Sequence, residues 1–171
     1  MKKIAAMAMA LVLTGGVALA QKFAFVDSEY ILTNIPSYTA AQEELNKLSE
    51  TWETEIAAEY EKIEQMYKTY QSERVLLTDE MRKKREDEII NKEREVKELQ
   101  AKYFGPEGEL SKKREELVKP IQDAIYTAVK ELSAEGSYAV IFDSSSGASI
   151  LYSNPRYDMS DEVLKKLGYK N

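Results

Sequence analysis

Asp143-Ser144-Ser145-Ser146-Gly147 has the residue types of a reactive site, since hydroxyls beside a carboxylate are the raw material of serine nucleophiles. A serine attacks only when a base within hydrogen-bond reach takes its proton. The chain contains no His, the commonest such base. The segment therefore reads as a polar turn, the role that Ser and Gly favour. A second candidate is the run Glu43, Glu44, Glu50, Glu53, Glu55, Glu59, Glu61 and Glu64. Helical carboxylates can hold a pair of metal ions, but such bundles add Glu-x-x-His motifs. Without His these acids read as a solvated helix face supported by bases such as Lys62. There is no Gly-rich phosphate loop of Walker type. With zero Cys there is neither thiol catalysis nor a disulfide framework. The expected catalytic residues, metal ligands and cofactors are none, and an enzyme is not expected.

Residue types suited to binding are better represented. Arg82, Lys83, Lys84 and Arg85 form a basic cluster, and from Lys68 to Arg85 there are six bases against three acids. Such a cationic tip suits acidic segments or weak contact with an anionic membrane surface. Met66 and Tyr70, followed by Val75, Leu76, Leu77 and Met81, place adaptable apolar side chains in the same stretch. Flexible Met and Tyr suit low-specificity contact with many sequences.

The first residues are a leader. Met1-Lys2-Lys3 is a basic start, Ile4 to Val17 is apolar, and Ala18-Leu19-Ala20 supplies a cleavage pattern before Gln21. A signal peptide over residues 1–20, cleaved after Ala20, implies export; the periplasm as destination is what the family resemblance given below implies. Of 24 bases, Lys2 and Lys3 lie in this leader, leaving 22 against 30 acids and a net charge of about −8. That balance argues against nucleic acid as a partner.

The elements that position these residues follow from periodicity. Lys22 to Asp27 reads as a strand whose two faces are both apolar. Asp27 or Ser28 caps a helical turn through Leu32 that Pro36 ends, and Thr39 with Gln42 fits a capping box. From there Ala41, Leu45, Leu48, Trp52, Ile56, Tyr60, Ile63, Tyr67 and Tyr70 form one stripe on a charged rod of roughly 55 Å. Val75-Leu76-Leu77 makes a tip, and Thr78-Asp79-Glu80 opens a second helix. Folding back pairs positions whose numbers total about 155, so Trp52 meets Tyr103, Ile56 meets Leu99, Tyr60 meets Val96 and Tyr67 lies near Ile89. On this pairing Tyr60 and Tyr67 belong to the seam. Gly105-Pro106-Glu107-Gly108 breaks the second helix, a place for a hinge, and Pro120 perturbs the turn before it. Ser137 to Asp143 and Ala148 to Tyr152 read as a β-hairpin, and a last helix runs from a Ser160 cap to Gly168.

The division is thus a body over 21–38 and 120–171 and a helical arm over 39–119 with its tip near 75–80. The fold class is α+β, mainly α. Phe23, Phe25 and Val26 on one strand and Val140 and Phe142 on another are more apolar than one small sheet can cover. Association through the strands, with the arms projecting together, relieves this. Physics alone requires only that the chain not be a monomer.

These residues resemble the periplasmic Skp-type (OmpH) chaperones of Gram-negative bacteria. The resemblance lies in Lys22-Phe23-Ala24-Phe25-Val26-Asp27, in the charged helical hairpin, and in Tyr138 to Asp143, Ile150-Leu151-Tyr152 and Met159 to Leu164. It implies a jellyfish-like homotrimer with a β-body and three tentacles. It also implies an ATP-independent holdase that encloses unfolded outer-membrane β-barrel proteins. On that basis Phe23, Phe25, Val140, Phe142 and Ile150 serve the body and trimer contacts, and Met66, Tyr70, Leu76, Leu77 and Met81 face clients. The family's well-known members are strongly basic, whereas this chain is acidic. The competing reading is a periplasmic coiled-coil tether that binds one defined partner.

Overall fold

A computed structural model describes residues 21–145, 147, 150 and 152–169. The leader assigned to residues 1–20 lies outside them.

Strand β1 (Lys22–Val26) leads into helix α1 (Ser28–Thr33), capped by the Asp27 carboxylate, which accepts from Tyr30 N. The long helix α2 (Pro36–Glu73) follows after a two-residue gap. Pro36 therefore opens α2 rather than only closing the turn before it, because a proline at the first helical position wastes no hydrogen bond. Thr39 lies inside the first turn of α2, so the expected capping box at Thr39-Gln42 does not form.

At the tip Thr78 caps α3 (Asp79–Phe104), its hydroxyl accepting from Met81 N at 3.3 Å. Helix α4 (Glu109–Gly136) begins after the Gly105–Gly108 break. That break is built on glycine: a Cβ on Gly108 would stand 2.7 Å from Tyr103 O and 2.9 Å from Lys102 O. Pro120 lies within α4 without interrupting it.

Strand β2 (Tyr138–Asp143) ends beside β1, to which it pairs in parallel with Phe23 opposite Val140 and Phe25 opposite Phe142. The second strand of the expected β-hairpin, Ala148 to Tyr152, falls largely outside the described residues, and the partner that β2 shows among them is β1. Ile150 and Tyr152 have no strand assignment, and Ala148, Ser149 and Leu151 lie outside the described residues. A 3₁₀ turn (Pro155–Tyr157) and helix α5 (Ser160–Lys166) complete the fold. Ser160 is the first residue of α5, not its cap, because its N–H and hydroxyl both donate to Asp158 Oδ1 at 2.9 and 2.6 Å. Gly168 takes the left-handed φ of 87° that ends the helix.

The main core joins Val26, Ile31, Ile35, Ile125, Ala128, Val163 and Leu164, so β1, α1, the second half of α4 and α5 close on one another. A second cluster, Ala41 and Leu45 with Val118, holds the base of α2 to α4. A third, Ile56 and Ile63 with Val96, holds α2 to α3. The two-stranded sheet covers one face only: Ala24 and Val26 are buried, while Phe23, Val140 and Phe142 are exposed.

Leu164 is 1% exposed and is the main anchor of α5 on the core. Leu164→Ala is expected to lower unfolding free energy by about 2–5 kcal/mol in urea denaturation, the range for a large-to-small core change. A loss below about 1 kcal/mol would disprove the packing of α5 against this core.

Candidate functional site

The residues expected to bind are distributed along the arm and across the sheet. Helices α2 and α3 run antiparallel with their apolar seam at Ile56, Ile63, Ile89 and Val96, all buried. Trp52 stacks on Tyr103 at 4.7 Å with the rings 6° apart, and Phe104 meets Trp52 edge-on at 6.2 Å. The expected Trp52–Tyr103 pairing is therefore present. Tyr60 and Tyr67 are not in the seam as expected; they are 45% and 41% exposed. The isoleucines occupy the line of closest approach and leave both tyrosines on its flank.

Polar contacts cross between the helices beside this seam. Tyr103 Oη donates to Glu55 Oε2 at 2.9 Å, Tyr67 Oη donates to Glu93 Oε1 at 2.9 Å, and Tyr70 Oη donates to Glu86. In each case the bond to the carboxylate, with lesser burial, raises the phenol above its ordinary range. Glu59 Oε2, shut off from solvent, faces the Lys92 ammonium at 2.8 Å, and Lys62 reaches Glu59 Oε1 at 2.5 Å. Hydrogen bonds from Lys62 and Lys92 outweigh burial and hold Glu59 below the usual carboxylate range. Bonds to Glu59 and Glu95 raise Lys92. None of these glutamates stood out in the sequence as a cross-helix partner, although the pairing rule that placed Trp52 against Tyr103 also brings Tyr70 opposite Glu86.

Toward the tip, Met66 and Tyr70 are half-buried and line a cavity of about 260 Å³ with Gln65, Thr69, Arg85, Glu88 and Ile89. Val75 and Leu76 stand free at 91% and 85% exposure, Leu77 is half-buried, and Met81 is exposed. The four expected basic residues divide. Arg82 pairs with Asp79 at 3.1 Å, and Arg85 pairs with Glu88 at 3.4 Å and Glu73 at 3.8 Å. Lys83 and Lys84 are exposed and, among the described residues, make no ion pair. The structure therefore brings Met66, Tyr70 and Arg85 to one cavity and leaves Val75, Leu76, Met81, Lys83 and Lys84 on the surface. Further down the arm, a groove of about 370 Å³ is lined by Glu53, Ile56, Ala57, Tyr60, Gln100 and Phe104.

In the body, Val26 is core, whereas Phe23, Phe25 and Phe142 gather on the open face of the sheet. Their ring centroids are 6.4 Å apart for Phe23–Phe142 and 5.9 Å for Phe25–Phe142. Ile150 is half-buried outside any strand. Beyond Phe25, Met159 N donates to Phe25 O at 2.8 Å, so both edges of β1 are engaged. Among the described residues nothing pairs with the outer edge of β2. The serine-rich segment is a lock rather than a site: the Asp143 carboxylate accepts from Ser28 Oγ at 2.7 Å, Ser28 N at 3.2 Å and Ser145 Oγ at 2.8 Å. Burial raises Asp143, but these bonds overcome it and the group sits below its ordinary range. No group of acids that could hold a metal is found among the described residues.

With this geometry in place, the comparisons with known proteins are direct. The family model for "Outer membrane protein (OmpH-like)" matches residues 22–167. The chain belongs to the OmpH-like family. An uncharacterized protein of Aquifex aeolicus (strain VF5) is 29% identical over 167 residues, covering 98% of this OmpH-like chain and 96% of that one. A solved structure from Caulobacter crescentus CB15, described as a candidate OmpH-like outer membrane chaperone, superposes with a TM-score of 0.67. It is 14% identical and the match covers 90% of this chain and 87% of that one, so it establishes a shared fold.

The lowered Glu59 gives the arm a defined pH response. A carboxylate whose folded pKa is depressed contributes stability above its unfolded pKa of about 4.3, and that contribution is lost as pH falls through the folded value. Thermal melts followed by circular dichroism should show stability falling below pH about 4.3, with Glu59→Gln melting lower at neutral pH and losing less on acidification. Glu64 and Asp143 are lowered in the same direction, so the variant flattens the response without abolishing it. An unchanged acid response in Glu59→Gln would remove Glu59 from the contacts that secure the hairpin.

Proposed function

We propose that this OmpH-like protein is an ATP-independent periplasmic holdase. It binds unfolded outer-membrane β-barrel proteins between its helical arms and keeps them from aggregating before membrane insertion. The observation that carries the reading is the exposure of Val75 and Leu76, 91% and 85%, at the end of an otherwise charged arm. Apolar side chains with no cover at the end of a rod 38 residues long on its outgoing side are contact groups, not core. Met66 and Tyr70, with the cavity beside them, and Leu77 and Met81 extend that client-binding surface. Family membership and the shared fold with a candidate chaperone support the same reading. Export of the chain after cleavage at Ala20 is part of the proposal. Among the described residues no helix is long and apolar enough to cross a membrane.

The division proposed is a body formed by 21–38 and 120–171 and an arm over 39–119. The body assembles a homotrimer through the edge of β2 that is unpaired among the described residues and the face of Phe23, Phe25, Val140 and Phe142. That face borders a cavity of about 570 Å³ that also includes Tyr138, Arg156 and Tyr157. Lys83 and Lys84 supply weak contact with anionic membrane surface, and the Gly105–Gly108 break lets each arm bend around clients of different size.

Two measurements test this. An unfolded β-barrel protein diluted from urea into the chain without ATP should show light scattering suppressed to a plateau at a small whole number of chains per client. Val75→Ser with Leu76→Ser should raise the concentration needed about thirtyfold, since two apolar contacts of about 1 kcal/mol each are lost. Undiminished scattering at excess chain would overturn the holdase. In sedimentation equilibrium the chain should be oligomeric, and Phe142→Arg should shift it to monomer, because an unpaired buried charge strongly opposes association. A monomeric parent chain would remove the assembly.

A further inference from the structure

The two flanks of the α2–α3 hairpin differ in chemistry. On one, Trp52 is stacked on Tyr103, and Glu59 is neutralised by Lys62 and Lys92. On the other, Glu53, Ala57, Tyr60, Glu64 and Tyr67 follow a four-three spacing that keeps them on one line along α2. This is the flank with the groove of about 370 Å³ floored by Ile56, Ala57, Tyr60 and Phe104.

Charge on this second flank is only partly compensated, with Glu53, Glu64 and Glu93 against Lys68 and Lys97. Glu53 accepts from Ser49 Oγ at 3.0 Å, and Glu93 accepts from Tyr67 Oη at 2.9 Å. Both donors are neutral hydroxyls and bring no positive charge to the carboxylates. Lys68 pairs with Glu64, and Lys97 follows Glu93 by one turn of α3. Apolar groove and excess carboxylate together complement a chain that offers apolar side chains beside cations.

We infer that the Tyr60–Tyr67 flank is a docking track for extended polypeptide in which an aromatic or aliphatic residue recurs at every third position among Lys or Arg. The inference rests on the holdase reading and names the class of client segment that this flank takes. Tyr60 and Tyr67 are about 10 Å apart along the helix. Extended chain in the polyproline II conformation, at three residues per turn and about 3.1 Å per residue, covers that distance in about three residues and returns every third side chain to the same face. Client side chains three apart therefore meet the groove and the next tyrosine, while the residues between them reach Glu53 and Glu93. The preference is for basic segments because the carboxylates of this flank outnumber its bases.

The test uses two labelled synthetic peptides with Phe or Leu at every third position, one filled with Lys between them and the other with Glu. Fluorescence anisotropy against the full chain should show the Lys peptide binding about tenfold tighter at low salt, the sum of a few exposed ion pairs. The advantage should fade near 1 M salt, where the screening length is about 3 Å. Tyr60→Ala and Glu53→Gln should each weaken the Lys peptide several-fold, whereas Thr51→Ala, at an exposed position of α2 outside this line, should not. All three are surface changes whose melting temperatures check that the fold is kept. Suppression of aggregation is measured on the same preparations. Equal affinity for both peptides, preference for the Glu peptide, or no binding of either overturns the inference; retained suppression in that case leaves the holdase standing. Equal weakening by Thr51→Ala and Tyr60→Ala also overturns it.

Discussion

Everything in this fold answers to the parallel pairing of β1 with β2. Parallel neighbours cannot be joined by a tight turn and need a long crossover. Here the crossover is the whole arm: Val26 and Tyr138 are adjacent strands' ends separated by more than a hundred residues, most of them helical. A chain that must leave β1 and return to lie beside it has to go out and come back, and α2 and α3 do so as an antiparallel pair. The return path, α3 plus α4, is longer than the outgoing α2. Its surplus becomes structural material for the body, because Ile125 and Ala128 of α4 enter the main core with Val26 and Ile31. The Asp143 carboxylate, held by Ser28 Oγ and N–H, closes the loop where the two strands end. Ser144 N adds a further bond to Val26 O at 2.8 Å.

The arm was legible in the sequence and the sheet was not, for reasons of range. Helical periodicity, the Thr78 cap and the glycine break at 105–108 are local signals, and all three appear in the structure. The pairing of β2 with β1 leaves no local trace. Two apolar runs flanking a Ser/Gly loop signal a local hairpin, whereas nothing in either run signals that β2 pairs with β1 at the other end of the chain. Local rules also compete among themselves. Pro36 and Thr39 both mark helix starts, and the proline prevailed because its missing N–H is harmless at the first position.

The candidate surface was legible to the same degree. A cavity between Met66 and Tyr70 was foreshadowed by their types and position, and the freedom of Val75 and Leu76 by their place in the turn. The flank of Tyr60 and Tyr67 was not. A stripe whose mean spacing is 3.6 drifts across a contact line that repeats every 3.5, so some members leave the seam. Isoleucine took the line of closest approach, and the longer tyrosines moved outward to bond Glu93 and solvent.

That division of labour within one hairpin explains how the arm keeps its register while staying receptive. Exposed ion pairs and surface hydrogen bonds contribute little each, so Glu59–Lys92, Tyr67–Glu93 and Tyr103–Glu55 serve to align the helices more than to stabilise them. Stability in the arm comes from a thin line of aliphatic residues, and it ends before the tip. Ile63 and Ile89 are the last buried members toward Val75. A two-helix rod has no third layer to bury what lies beyond them. The tip is therefore the least stable part of the fold, the end from which binding surfaces are drawn. A third helix packed there would cover Val75 and Leu76 and make the arm firmer, and in doing so would occupy the contacts that unfolded chains need.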